Sequence, residues 1–486
     1  MKNMLYTLCL LATFGCSQQS KESVESNLFA PNIIWIIAED LSPDIGCYGN
    51  SQVKTTTLDD LANHGIRYMN AYATGAACSP SRTALATGYY QNAIGAHHMR
   101  YPDHLKPDLE HGVLPIHTLL ENHGYQTANI RSYPGNGKTD WLFKYDTDTY
   151  EHQHWDSIDN EKPFFARICL GLTHRGFARD TISPVNPDEV KLPPYYPDHP
   201  VSKKDWAYYF ESIQVLDKQV ARIIKDLEKN NLLENAIIFF FSDHGRPMTR
   251  AKNYLYESGL KVPLIISSYD PAIKRKYLSY KDTDERLLSL IDVNATTLAL
   301  AGLSSYNSQG IPFLDEPLVE IRNQVFGAAD RTGETFFKSR SVRSGDLKYI
   351  RNYHHDFSVN ETATAYRKAN HPIYHLLNIL KDRGELDAYQ SRLLQPMDPE
   401  ELYDLKNDPY ELNNLATQSE WTEKLESMRV LLDHWMEQID DKGTEEDPPE
   451  IVAAFESYGI NSIKQHKKAI ERLERAVKAE VEKQVK

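Results

Sequence analysis

A large, mostly parallel α/β sheet sandwiched by helices, followed by a smaller C-terminal α+β domain, is the fold that three observations predict. Three apolar runs end in polar residues, the segments between them carry helical periodicity, and the composition changes near residue 330. Strands that are buried on both faces of a parallel sheet are continuously apolar. Strands that alternate with amphipathic helices build a sheet covered on both faces.

The apolar runs place their polar residues at the carboxyl ends of predicted strands. They are PNIIWIIAED at 31–40, KPFFARICLGLTH at 162–174 and NAIIFFFSDHG at 235–245. In open α/β sheets, ligands gather beyond the carboxyl ends of the strands. We therefore expect a site where these runs end, at Glu39, Asp40, His174, Asp243 and His244.

Helical spacing is clearest in SIQVLDKQVARIIKDLEKN at 212–230, and an alternating strand follows later in KSRSVRSGDLKYIRNY at 338–353. The end of the chain, from residue 462, has a narrow apolar stripe on a highly charged helix. We expect this helix to pack against the body, with a coiled coil as the alternative. The predicted domains are a catalytic α/β domain at 30–335 and an α+β subdomain with a terminal helix at 336–486.

The amino terminus, MKNMLYTLCLLATFGCSQQS, has an apolar run too short for a bilayer, which needs about 20 residues. It is typical of an export signal. Gly15-Cys16 resembles a bacterial lipoprotein processing site, although Thr13 stands where Leu is usual. This predicts a signal peptide at 1–15, lipidation of Cys16, a flexible tether at 16–29 and an outer-membrane anchor on the periplasmic or surface face. The alternative is an ordinary cleaved signal in which Cys16 is incidental.

Charge and cysteine content narrow the function classes. The formal net charge of −14 argues against a nucleic-acid partner. Three cysteines, Cys47, Cys78 and Cys169, remain beyond Cys16, which is too few for a disulfide framework, and no Cys/His spacing indicates zinc. Cys47 and Cys169 are either buried thiols or one bridge.

Cys78 has the unusual neighbourhood, GAACSPSRTALATG at 75–88. At a helix start it could be a nucleophile with a lowered pKa, or a buried structural thiol. The run Cys78-Ser-Pro-Ser-Arg82 with Leu85, Thr87 and Gly88 resembles the C-x-P-S-R-x-x-x-L-x-T-G stretch of type I sulfatases, in the alkaline phosphatase superfamily. The acidic strand ends and ELYDLKNDPYELNNLA resemble that family in the same chain order, so the resemblance covers nearly the whole mature chain. It is closest to heparan N-sulfatases and bacterial polysaccharide sulfatases.

The resemblance implies that Cys78 is oxidised to formylglycine (3-oxoalanine) by a formylglycine-generating enzyme or maturase. A formylglycine hydrate has two hydroxyls on one carbon, so one attacks sulfur and the other collapses to the aldehyde and releases sulfate. The implied metal is calcium, with magnesium as the alternative, held by hard oxygen ligands. The implied ligands are Glu39, Asp40, Asp243, His244 and the modified Cys78. The implied catalytic residues are Cys78, Arg82, Lys138, His174 and Lys252.

Two positions depart from the family pattern. Glu39 stands where Asp is usual, and GKTD at 137–140 replaces Gly-Lys-x-His, so that Asp140 occupies the place of a histidine. Asp140 is a candidate acceptor or base for the formylglycine hydroxyl, unless another histidine fills that role. The further substrate-binding candidates are His97, His98, Arg100, Asp330 and Arg331.

The predicted activity is hydrolysis of sulfate from a sugar unit of a sulfated polysaccharide, with algal ulvan or carrageenan favoured. The alternatives are a heparan N-sulfatase, a phosphonate or phosphodiester hydrolase of the same superfamily, and a glycan-binding homologue that has lost catalysis. The expected partners are the sulfated saccharide, the maturase and, through the lipid, a membrane.

Overall fold

The large sheet contains seven strands, six of which run parallel to one another. They are β1 (Asn32–Ala38), β2 (Gly65–Tyr72), β3 (Gln126–Ile130), β4 (Phe164–Leu170), β5 (Ala236–Ser242), β6 (Lys261–Ser267) and β7 (Thr283–Ser289). Their order is β3-β4-β1-β5-β6-β2-β7, and β6 is antiparallel to both of its neighbours. The computed structural model describes residues 30–110, 112–145, 150–278, 282–314 and 321–484.

The register of the central strands places their carboxyl ends level. Ala38 at the end of β1 lies opposite Leu170 of β4 on one side and Ser242 of β5 on the other. The three polar segments predicted to form a site therefore leave the sheet at the same edge. β2 is parallel to these strands, so the segment after it, which contains Cys78, starts from that edge as well.

Helices cover both faces of this sheet. Those up to residue 300 are α1 (Thr56–Asn63), α2 (Cys78–Thr87), α3 (Ile116–Asn122), α4 (Pro200–Lys229), α5 (Glu257–Leu260), α6 (Pro271–Tyr277) and α7 (Leu290–Leu300). The predicted helix at 212–230 is the second half of α4. Its apolar side chains Ile213, Leu216 and Val220 are fully buried in the core against the sheet. The prediction of a mostly parallel sheet sandwiched by helices is confirmed.

A second, antiparallel sheet follows, with the strand order β11-β10-β9-β8. The strands are β8 (Gln324–Ala329), β9 (Ser339–Ser344), β10 (Leu347–Asn352) and β11 (Glu400–Asp404). The single strand predicted within 338–353 is a hairpin, because Gly345 adopts a φ of 57° and turns the chain between Ser344 and Leu347. β8 precedes the predicted domain boundary at 335, so the small sheet spans it, and the boundary itself stays a prediction.

The remaining helices are α8 (Ala365–Asn370), α9 (Pro372–Arg383), α10 (Ala388–Arg392), α11 (Thr422–Gln438) and α12 (Pro449–Lys483). Val477 and Val481 of α12 are buried against Leu376 and Leu380 of α9, whereas Ile463 is exposed. The terminal helix thus packs on the body along only part of its stripe. Among the described residues, no helix combines the length and apolar composition that a bilayer crossing requires.

The structure describes Cys47 and Cys169 but not Cys16. Cys47 and Cys169 are both free thiols, which excludes the bridge between them. The predicted signal peptide, Cys16 and the tether at 16–29 lie outside the described residues.

Candidate active site

The site lies at the carboxyl edge of the large sheet, where four segments meet. Glu39 and Asp40 follow β1, Asp243 and His244 follow β5, and His174 follows β4. Cys78 is the first residue of α2, and Lys252 lies in the loop before α5.

Cys78 is buried, with 1% of its surface exposed. Its Sγ lies 3.3 Å from Lys252 Nζ, 3.3 Å from His244 Nε2 and 3.5 Å from Asp40 Oδ1. The amino terminus of α2 adds its positive dipole end to these cations. Position 78 therefore suits a group that is negatively charged or that binds an anion.

The charges around Cys78 shift its pKa. Burial alone would raise the pKa of the thiol, but Lys252 and Lys138 outweigh burial and lower it to about 6. Burial alone would lower the pKa of His244, but Asp243 and Asp40 raise it to about 10. The protein thus stabilises negative charge at residue 78 and positive charge on its neighbours.

A set of metal-ligating groups surrounds position 78. The ligand atoms of Asp40, Cys78, Asp243 and His244 all lie within 4.8 Å of one another, and all four residues are buried. Burial would raise the pKa of Asp40, yet Lys252 and His244 hold it well below its usual value, so the carboxylate is ionised. Two ionised carboxylates from adjacent strand ends fit a hard divalent cation.

Glu39 takes a different place from the other acids. Its Oε2 accepts a hydrogen bond from Lys138 Nζ at 3.0 Å, and its Oε1 lies 3.6 Å from the Arg82 guanidinium. It falls outside the four-residue ligand group, although an oxygen of Glu39 lies within 4.8 Å of Cys78 Sγ and a His174 ring nitrogen. Glu39 therefore positions Lys138 in this structure, and its role as a ligand stays a prediction.

Arg82 is locked into the site by a buried ion pair. Its Nε donates to Asp243 Oδ2 at 2.9 Å, and both side chains are almost fully buried. Because Asp243 also accepts from the backbone N–H of Asp40 and of His244, it ties α2 to the ends of β1 and β5. The catalytic candidates Cys78, Arg82, Lys138, His174 and Lys252 are thus brought together.

Asp140, at the position where a family histidine is expected, does not lie in the ligand group with Cys78. Its carboxylate pairs with Arg100 at 2.7 Å and with Lys138 at 3.7 Å. Arg100 also reaches Ser79 Oγ at 3.3 Å. Asp140 therefore holds two cations at the rim, and the histidines next to residue 78 are His244 and His174.

Besides Asp140, four predicted substrate residues are absent from the described lining of the cavity that opens from the site. His98 and Arg331 are paired with Asp447, at 2.7 Å and 2.5 Å. Asp330 is buried in an ion pair with Arg340. His97 is buried against His98, and its ring nitrogen Nδ1 has no partner in the described structure. In this structure His97, His98, Asp330 and Arg331 are held by packing and ion pairs, and their roles in substrate binding stay predictions.

The cavity itself has a volume of about 580 Å³ and is lined by Lys138, His174 and Lys252 on the catalytic side. Arg100 is the one predicted substrate-binding residue among its described lining residues. Sequence reasoning missed several other lining residues, among them Arg175, Tyr366, Arg367, His371, Phe455 and Tyr458. They belong to loops and to α8 and α12, where no recognisable motif marks them.

Replacing Asp447 with asparagine is expected to loosen the wall that α12 contributes. Asp447 comes just before α12 and joins it to His98 and Arg331, so its loss should lower the free energy of unfolding by about 1–3 kcal/mol. KM for a saccharide substrate should rise, because Phe455 and Tyr458 lose their anchored position. Urea unfolding and steady-state kinetics measure the two effects.

This stabilisation also depends on pH. Burial would raise the pKa of Asp447, but hydrogen bonds and charges from His98 and Arg331 hold it well below its usual value. A depressed folded pKa stabilises the fold above the unfolded pKa of about 3.9, and the contribution fades as the pH falls below that value. The free energies of unfolding of the wild type and of Asp447→Asn should therefore become equal in acid. Asp433→Asn, which breaks the exposed pair with Arg351, is the control and should change stability by less than about 1 kcal/mol. Equal effects of both variants at pH 7 would contradict the assignment.

Comparison with known proteins agrees with this geometry. The profile of the family described as Sulfatase matches residues 31–303. An ulvan-active sulfatase of Formosa agariphila is 31% identical over 89% of this chain and 80% of its own length. The human N-sulphoglucosamine sulphohydrolase is 24% identical over 83% of this chain and 89% of its own.

Solved structures share the fold. A structure described as a 2-O GAG sulfatase superposes with a TM-score of 0.62 at 17% identity, covering 87% of this chain and 96% of that one. The alkaline phosphatase-like architecture predicted from the sequence is confirmed. With the family profile matching more than half of the chain, the protein belongs to the type I sulfatases and is a sulfuric ester hydrolase.

Proposed function

We propose that this enzyme removes sulfate from a sugar unit of a sulfated polysaccharide, using a formylglycine made from Cys78 and a bound calcium ion. The observation that carries the proposal is the convergence of Lys252, His244 and Asp40 within 3.5 Å of Cys78 Sγ. The thiol occupies the place where the oxygens of a formylglycine hydrate would lie. The hydrate would supply a nucleophile that regenerates itself, as the resemblance implies.

The chain's own residues supply binding and charge around that position. Lys138 and Lys252 present ammonium groups to the oxygens of a bound sulfate, where negative charge develops during transfer. His174 lines the cavity, and Asp40 raises its pKa, so its ring is suited to protonate the leaving sugar oxygen. Asp40, Asp243 and His244 would hold the calcium ion, whose charge stabilises the sulfate oxygens when it is bound.

The polysaccharide class rests on the relatives. The ulvan-active sulfatase supports an algal sulfate ester, and the sulphoglucosamine sulphohydrolase supports N-sulfate as a second candidate. The ulvan-active enzyme is more similar in sequence (31% against 24%) and matches more of this chain (89% against 83%), so the ester is favoured. Comparing sulfate release from ulvan, carrageenan and heparan oligosaccharides distinguishes a sulfate ester substrate from an N-sulfate substrate.

The test is release of sulfate from a panel of defined sulfated oligosaccharides, measured by ion chromatography, together with an aryl sulfate and phenyl phosphonate. Turnover of an ester in the panel above the N-sulfated sugar supports the proposal. Preference for phenyl phosphonate would replace it with a phosphonate hydrolase. Binding of saccharides without any sulfate release, with an unmodified Cys78 peptide from the native host, would identify a protein that only binds glycans.

The lipid anchor is a separate proposal that rests on Gly15-Cys16. Expression in a bacterial host with labelled palmitate should give a labelled protein in the outer-membrane fraction. The Cys16→Ala variant should be unlabelled and recovered in a soluble fraction. An unlabelled wild type would contradict lipidation and would indicate that the amino-terminal segment is an ordinary cleaved signal.

A further inference from the structure

The cavity wall beside His174 contains a cation that differs from the others. The basic residues that line the described cavity are Arg100, Lys138, Arg175, Lys252 and Arg367. The first four are ion-paired with Asp140, Glu39, Asp205 and Asp40, respectively. Arg367 has no ion pair with any described residue, so among these five cations it is the one without a described carboxylate partner, and its guanidinium lies 5.2 Å from the centroid of the Tyr254 ring.

Arg367 is also buried, with 4% of its surface exposed. Its Nη1 donates a long hydrogen bond of 3.4 Å to the Tyr254 hydroxyl, and its Nε has no partner in the described structure. A buried charge is costly unless it is paired and hydrogen-bonded. A guanidinium held in this way at a cavity wall is suited to an anion that a ligand brings.

His371 lies next to Arg367 and, like it, is buried with side-chain nitrogens that lack hydrogen-bond partners among the described residues. Its side chain is 1% exposed, and neither ring nitrogen has a hydrogen-bond partner among the described residues. Its backbone N–H donates to the carbonyl of Arg367 at 2.8 Å, which fixes the two residues at the end of α8. Burial, with Arg175 and Arg367 nearby, holds the pKa of His371 well below its usual value. The neutral ring offers one donor and one acceptor.

The pair lies close to the reaction centre. The ring of Tyr366, the residue before Arg367, is 6.3 Å from the ring of His174, and all of these residues line the same cavity. The cavity also has Glu334, which accepts a hydrogen bond from the Ala365 backbone, and the aromatic rings of Phe455 and Tyr458. A sugar whose sulfate lies at Lys138 and Lys252 would reach this wall with another of its substituents.

We propose that Arg367 and His371 form a second anion subsite, which binds a carboxylate or a second sulfate carried by the sugar that bears the scissile sulfate or by its neighbour. Arg367 pairs with the anion, and His371 hydrogen-bonds to the anion or to an adjacent hydroxyl. The inference rests on the proposed function and narrows it to saccharides with at least two anionic groups. Uronic acids and multiply sulfated sugars share this chemistry.

The test compares matched sulfated disaccharides in three forms: with a uronate, with that carboxyl reduced to an alcohol, and with a second sulfate in its place. The wild type should prefer a form with a second anion over the reduced form by roughly 10- to 150-fold in kcat/KM, as for a charge-assisted hydrogen bond. Arg367→Gln should remove that preference, because it should lower kcat/KM for the forms with a second anion far more than for the reduced form or for an aryl sulfate, which has no second anion. The uronate and second-sulfate arms identify which anion is preferred.

A control and a second variant keep the test decisive. Arg383→Gln, on the surface at the end of α9, should retain the full preference. His371→Gln should reduce the preference, and calorimetric binding of the same disaccharides to Cys78→Ala, with and without Arg367→Gln, gives a readout that needs no turnover.

The outcomes separate the two proposals. A wild type that hydrolyses none of these sulfates overturns the proposed function. A wild type that hydrolyses them all without preferring a second anion, or an Arg367→Gln variant that loses aryl sulfate and disaccharide turnover equally, overturns the subsite alone.

Discussion

Replacing Cys78 with alanine is expected to lower the rate of sulfate release by roughly 10⁴-fold or more, as for loss of a catalytic nucleophile. The substitution removes the one atom that Lys252, His244 and Asp40 all approach within 3.5 Å. A small side chain still fits the first turn of α2, so the fold should persist. Steady-state release of sulfate from an aryl sulfate measures the effect.

The matched control is Cys47→Ala. Cys47 is also a free thiol, but it is half-buried in a short turn before α1 and belongs neither to the described cavity lining nor to the ligand group around Cys78. It should keep full activity with a modest loss of stability. Mass spectrometry of the wild-type peptide from the native host should show residue 78 without sulfur and with a carbonyl that reacts with a hydrazide. Substantial activity in Cys78→Ala would contradict the assignment of residue 78 as the source of the nucleophile.

Replacing Asp243 with asparagine is expected to abolish the proposed calcium binding and to lower kcat/KM by about 10³-fold or more, since metal sites supply several kcal/mol of charge stabilisation. The neutral amide is a poorer ligand, and Arg82 Nε loses its carboxylate partner at 2.9 Å. Breaking this buried pair should cost about 3–5 kcal/mol of unfolding free energy. In the wild type, calcium at about 100 times its Kd should add about 2.7 kcal/mol of stability. Thermal unfolding with calcium and with a chelator measures the loss of stability and the loss of calcium binding, and steady-state kinetics measures kcat/KM.

Asp292→Asn separates the ligand role from the loss of an ion pair. Asp292 is fully buried and binds Arg322 through two hydrogen bonds of 2.6 Å and 2.7 Å, apart from the ligand group. This variant should lose comparable stability yet keep the stabilisation by calcium. If Asp243→Asn is stabilised by calcium as much as the wild type, the ion is not held by Asp243.

The catalytic half of the site could be predicted from the sequence because local patterns determine it. Apolar runs that end in acids give parallel strands, and parallel strands bring their ends to one edge, which places Asp40 and Asp243 in contact range of each other. The Cys78 motif fixes where α2 begins. Each of these steps depends on a few neighbouring residues and on one topological rule.

The substrate half could not be predicted in the same way. His97 and His98 follow the catalytic helix closely, but sequence proximity does not decide on which side of a loop a side chain lies. His98 pairs with Asp447, which lies about 350 positions later in the chain. Arg367 lies in α8, His371 directly follows α8, and Tyr458 lies in α12, and the packing of these helices depends on long-range contacts. The sequence also does not show that Arg340 pairs with Asp330 in the interior, because the two residues are brought together by the packing of the small sheet.

The burial of Cys78 has a consequence for the order of events during biosynthesis. Every residue of α2, from Cys78 to Thr87, is buried. A modifying enzyme therefore cannot bind this segment once the protein has folded. If residue 78 is oxidised as proposed, the oxidation competes with folding. Slower collapse of the nascent chain would then raise the fraction of activated molecules, and rapid collapse would leave inert ones.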